Sequence, residues 1–146
     1  MKIVVRVEVR PTEDVEKVRK ALENVFDAES IQMEKVDDYQ LIVAEGNGYR
    51  CLLKLYNAIR SQYILDAARE YLKGGMYDDG VVFYLNKQAA YAGVVSFCSQ
   101  EYGESPLGAI VFDIRLKNPE RLINWLTPKT LNGKPIREIE PPTEDP

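Results

Sequence analysis

Two amides and an ammonium stand side by side at Asn86-Lys87-Gln88, with Tyr84 and Tyr91 close by. Amides both donate and accept hydrogen bonds, and lysine adds a positive charge. The triplet could therefore grip phosphate and read a base edge, while the tyrosines stack on bases. The same residues could equally build a strand–turn segment, with the amides satisfying exposed backbone and the tyrosines packing on a helix. A second polar group comprises Arg60, Ser61, Gln62, Asp66 and Arg69. The spacing of Asp66 and Arg69 suits an ion pair on one helix face. Alternatively, Arg60, Gln62 and Arg69 lie near Lys87 and complete a phosphate-binding patch.

Other candidates are weaker. Asp78-Asp79 precedes Gly80 and reads as a turn: adjacent carboxylates rarely converge on one cation, and the calcium-loop pattern is absent. The sequence contains no histidine, so Ser99 and Ser105 lack the usual activating base, and the commonest transition-metal ligand is missing. Cys51 and Cys98 stand alone without metal-ligand spacing and are expected to be buried thiols. No catalytic residue, metal or cofactor is expected.

The elements that must position these groups follow from periodicity. Ile3, Val5, Val7 and Val9 alternate with more polar neighbours, the pattern of a strand with one face on a core. Pro11 stops it, and Thr12 is the expected cap of a helix whose inner face is Val15, Val18, Leu22, Val25 and Phe26. Residues 30–36 and 39–45 form a hairpin around Asp37-Asp38. Residues 49–73 carry an apolar stripe wide enough for one long helix buried on two sides or bent near Arg60-Ser61, ended by Gly74-Gly75.

Residues 81–85 are apolar on both faces, as in a covered central strand. Residues 86–90 form a short link or helical turn, and 91–97 a further strand. A loop is expected over 100–108 and a strand over 109–116. Asn118-Pro119 opens a helix that carries Trp125 as a core or dimer contact. Asn132-Gly133 turns the chain into an edge strand at 135–139. The pattern specifies one α+β domain over residues 1–140, a two-layer sandwich of helices on a mixed, largely antiparallel sheet. Residues 141–146 are expected to be a disordered tail.

Composition agrees with one domain: 146 residues, 45% of them hydrophobic, with no apolar run near the roughly 20 residues that span a bilayer. The start MKIVVRVEVR is too charged for a secretory signal, so a cytoplasmic protein is expected. A formal net charge of -4 argues against a chain dominated by phosphate contacts. Residues 47–99 are the exception, with six basic against four acidic side chains.

Taken in order, VRPTED, ILDAAR, FYLNKQAAYAGVVSF, SPLG and INWLTPKTLNGKP resemble the archaeal uncharacterised protein family 0201 over nearly the whole chain. That resemblance implies a fold similar to the ribosomal protein that binds 5S RNA, and a non-catalytic homodimer that binds structured RNA. The RNA contacts are then expected at Arg60, Gln62, Arg69, Asn86, Lys87, Gln88 and Tyr91. The family often carries arginine where this chain has Tyr63, which removes one positive charge from the patch. The competing expectation is a homodimeric interaction module that binds no nucleic acid.

Overall fold

The computed structural model describes residues 1–102 and 107–143. Its centre is β1 (Lys2–Val9), whose alternating valines and Ile3 are buried as the sequence requires. β1 pairs with β3 (Tyr39–Asn47) on one side and with β7 (Ala109–Arg115) on the other. β2 (Ser30–Val36) continues the sheet beyond β3, and β5 (Gly80–Asn86) continues it beyond β7. The outer edge of β5 is shared by β4 (Met76–Tyr77) and β6 (Phe97–Cys98). Every pairing among the described strands is antiparallel, so the sheet is purer than the mixed one expected.

Helices α1 (Val15–Val25), α2 (Leu53–Ser61), α3 (Leu65–Gly74) and α5 (Pro119–Leu126) bury their apolar stripes in one cluster with Ile3, Val5, Ile42, Phe83 and Phe112 of the sheet. This is the expected α+β sandwich. Phe83 and Phe112 stack at 4.9 Å between ring centroids, and Phe26 meets Phe112 edge-on at 5.8 Å. Each such ring contributes roughly 1.5–3 kcal/mol through burial. Trp125 belongs to the core, stacked on Tyr56 at 5.0 Å. The chain after β6 returns over the other sheet face, where the Tyr102 hydroxyl donates to the Glu8 carboxylate.

Several local expectations are corrected. Asp14 caps α1 in place of Thr12, its Oδ1 accepting from the Glu16 amide at 2.9 Å. The stretch over 49–73 is a 3-10 turn (Tyr49–Leu52) followed by two helices, close to the alternative with a bend near Arg60-Ser61 but with a full break. They break at Tyr63, which is held left-handed at φ 57°. Residues 91–97 do not form a full strand. The Asn86 cap starts α4 (Lys87–Tyr91), Gly93 turns left-handed at φ 82°, and only Phe97–Cys98 pairs with β5.

The segment after Asn132-Gly133 does not edge the main sheet. It closes a separate hairpin of β8 (Thr130–Leu131) and β9 (Lys134–Pro135). Pro142 is buried, so packing continues past residue 140 into the expected tail, whose residues 144–146 lie outside the described residues. The loop expected over 100–108, with Ser105, also falls partly outside them. Gly75 is required by close approach: a methyl group there would lie 1.7 Å from the Val82 carbonyl oxygen.

Candidate functional site

α4 divides the Asn86-Lys87-Gln88 triplet into three jobs. Asn86 is the N-cap, its Oδ1 accepting from the Ala89 amide at 2.8 Å. Lys87 turns inward and is only 3% exposed. Its ammonium donates to the Glu8 carbonyl at 2.8 Å, the Leu107 carbonyl at 2.7 Å and the Glu13 carboxylate at 2.9 Å. An ammonium has three N–H donors, and all three are used. Burial pulls the Lys87 pKa below its ordinary value, while the hydrogen bond and charge of Glu13 oppose that shift. Gln88, one position on, faces out, and its side chain makes no hydrogen bond among the described residues.

Tyr91 lies one helical turn beyond Lys87, 41% exposed, with the Lys20 ammonium 5.5 Å from its ring centroid. Asn24 of α1 holds this end of α4 by donating to the Ala90 carbonyl at 2.9 Å. The result is a groove of about 330 Å³ between α1 and α4, walled by Thr12, Lys17, Gln88, Tyr91 and Leu107. The Lys87–Glu13 pair also lines it. The groove thus offers an aromatic ring, a carboxamide without a partner among the described residues, the Lys17 ammonium and the Asp14 carboxylate, with Lys20 over the Tyr91 ring. Lys17 and Lys20 lie outside the basic segment 47–99 to which the sequence points. Their spacing along α1, three residues apart, was the available signal.

Arg60, Gln62 and Arg69 are placed elsewhere and not beside Lys87. Arg60 forks onto Glu138 through Nε at 2.9 Å and Nη2 at 2.7 Å. It also donates to the carbonyls of Tyr56, Leu126 and Trp125. Its guanidinium lies 3.4 Å from the Tyr56 ring centroid. All five donors are occupied by protein, so this arginine fastens the C-terminal segment to α2 and α5. Arg60 holds the Glu138 carboxyl below its usual pKa. The sequence could not point to Glu138, which lies 78 residues away.

Gln62 grips the Val95 backbone from both sides, donating to its carbonyl and accepting from its amide at 2.9 Å each. That clamp ties the α2–α3 break to the segment after α4. Arg69 donates one Nη1 bond to the Thr127 carbonyl at 2.8 Å. The expected Asp66–Arg69 pair is absent among the described residues, since Asp66 instead accepts from the Thr130 hydroxyl.

A family model described as RNA binding matches residues 2–116. A UPF0201 protein of Sulfurisphaera tokodaii is 44% identical over 99% of this chain and 99% of its own. The chain belongs to the UPF0201 family. A second UPF0201 protein, from Pyrobaculum neutrophilum, is 50% identical over 97% of this chain and 99% of its own. The crystal structure of the UPF0201 protein from Methanococcus jannaschii superposes with a TM-score of 0.82 at 34% identity, covering 94% of this chain and 100% of that one. The α+β sandwich is therefore the architecture of an experimentally solved UPF0201 relative.

Proposed function

We propose that this UPF0201 chain binds RNA in the cytoplasm without catalysing a reaction on it, and that the α1–α4 groove receives an unpaired base. One observation carries the reading: the two members of the Lys87 motif that the fold leaves uncommitted, Gln88 and Tyr91, face the same groove as Lys17. Tyr91 supplies a stacking surface, Gln88 a donor–acceptor edge for the base, and Lys17 and Lys20 the charge for flanking phosphates. Lys87 and Asn86 shape the groove from within, and Arg60 and Gln62 act at a distance by fixing the helices. The sequence has no histidine and the three Lys87 donors are used within the protein, so neither supplies a general base in the groove. The family model's description supports the class of ligand.

The test is fluorescence anisotropy with a short single-stranded RNA and a structured RNA at low salt. A Gln88→Ala/Tyr91→Ala variant is expected to lose about tenfold in affinity for the single strand, the size of one lost base stack. Equal binding by parent and variant removes the groove, and no binding by the parent removes the function.

One observation favours homodimerisation. β2 has no neighbour on its outer edge among the described residues. Antiparallel pairing with a second copy about Met33 would oppose Gln32 to Glu34 and Ile31 to Lys35, with no like charges directly opposite. Sedimentation of Met33→Lys checks it: the variant is expected to sediment as a monomer where the parent is a dimer.

A further inference from the structure

The cleft between α3 and α5 contains three cations without an ion-pair partner among the described residues. Arg69 and Lys73 lie one turn apart on α3, and Lys129 faces them from the segment after α5. Glu120, Asn124 and Met76 complete the lining of a space of about 280 Å³. One carboxylate against three cations is unusual in a chain with more acidic than basic residues. Among the described residues, none of the three cations forms an ion pair. By contrast, Arg19 on α1 is paired with Glu23 at 3.3 Å. Like charges one turn apart on a helix repel each other. An anion in the cleft would relieve that repulsion.

The guanidinium is also prepared for a ligand. Arg69 Nη1 is anchored on the Thr127 carbonyl at 2.8 Å. Thr127 is fully buried, and its hydroxyl and amide both donate to the Ile123 carbonyl, at 2.9 and 2.8 Å. The anchor is therefore rigid, while Nε and Nη2 have no acceptor among the described residues. Those two nitrogens form the fork that takes two oxygens of one oxyanion. Lys129 is fixed at its backbone, its carbonyl accepting from the Ile136 amide at 2.9 Å.

We infer that the α3–α5 cleft, with Arg69 as the fork and Lys73 and Lys129 as flanking charges, binds a phosphate group, supplied by an RNA backbone. The excess of two positive charges suits phosphate, and Asn124 adds a neutral donor for a third oxygen. The RNA source rests on the reading above. The phosphate site itself does not.

The experiment uses the full chain and two ligands, inorganic phosphate and a short single-stranded RNA. Phosphate is titrated while backbone amide shifts are followed by NMR, and RNA affinity is measured across salt. Shifts are expected in α3, α5 and residues 127–130. Lys73→Gln/Lys129→Gln should weaken phosphate at least tenfold and make the slope of log affinity for RNA against log salt shallower by about 1.4. Arg69→Lys should weaken phosphate although it keeps the charge. Gln88→Ala/Tyr91→Ala should leave phosphate binding unchanged, which separates this site from the groove.

Phosphate binding without RNA binding supports the site and makes its source a free phosphate or nucleotide, ending only the RNA reading. No shift in these elements, parent-like binding by the double lysine variant, or a stronger response to polyglutamate than to phosphate overturns the inference.

Discussion

Lys73 and Lys87 belong to the same basic stretch of sequence and have opposite fates. Lys87 is enclosed and meets three acceptors, one of them a carboxylate 74 residues earlier in the chain. Lys73 stands in the last turn of α3 at an open cleft, with no carboxylate partner among the described residues. Arg60 and Arg69 repeat the contrast on neighbouring helices: five donors used in one, a single bond in the other. A cation contributes to a ligand's field only when the fold has left it unpaired, and the partners that decide this come from distant parts of the chain.

The largest expected effect is at Lys87. Lys87→Met strands the Glu13 carboxylate and two carbonyls, and should cost about 3–5 kcal/mol in urea unfolding. Adding Glu13→Gln should recover part of that loss. A cost under about 1 kcal/mol would place Lys87 with the uncommitted cations and dissolve the contrast.

Arg60→Lys loses the fork on Glu138 and the stacking on Tyr56, for a cost of about 2 kcal/mol. The same pair sets a pH dependence. Because Arg60 lowers the Glu138 pKa, the carboxylate adds stability above its ordinary value of 4.5, and that stability is lost as pH falls through the lowered value. Glu138→Gln should therefore flatten the acid limb of a stability–pH curve, and an unchanged limb would show that the pair is not held in solution.

Asn86→Ala removes the α4 cap and should cost about 1 kcal/mol by thermal unfolding. Smallest is Lys73→Gln, expected within about 0.5 kcal/mol of the parent, with any change towards greater stability as the repulsion from Arg69 is relieved. A clear destabilisation there would mean that Lys73 has a structural partner and would weaken the comparison from its other side.

Much of the fold was legible because its signals are local. The alternation of Ile3, Val5, Val7 and Val9 marks a half-covered strand whatever lies beside it. The Asp37-Asp38 and Asn132-Gly133 turns announce themselves by residue type. The long helical pattern over 49–73 was read correctly as helix but not as two helices. Tyr63 carries no mark of the left-handed conformation it adopts, and the Gln62 clamp on Val95 that accompanies the break is a tertiary contact. The strand expected at 91–97 failed for a similar reason, because an apolar run next to a helix cap can as well finish the helical turn.

The site was legible in type more than in arrangement. The sequence by itself determined the sandwich, the family, and the presence of an amide–ammonium–amide motif at the end of a strand. Tertiary structure alone decided which members of that motif face outward. An N-cap needs Asn86, and helical geometry then turns Lys87 in towards Glu13 and leaves Gln88 and Tyr91 on the groove. It also decided that Arg60 is a fastener and that Arg69 shares a cleft with Lys73 and Lys129. Charge is a property of one residue, but its neutralisation belongs to pairs brought together only by folding.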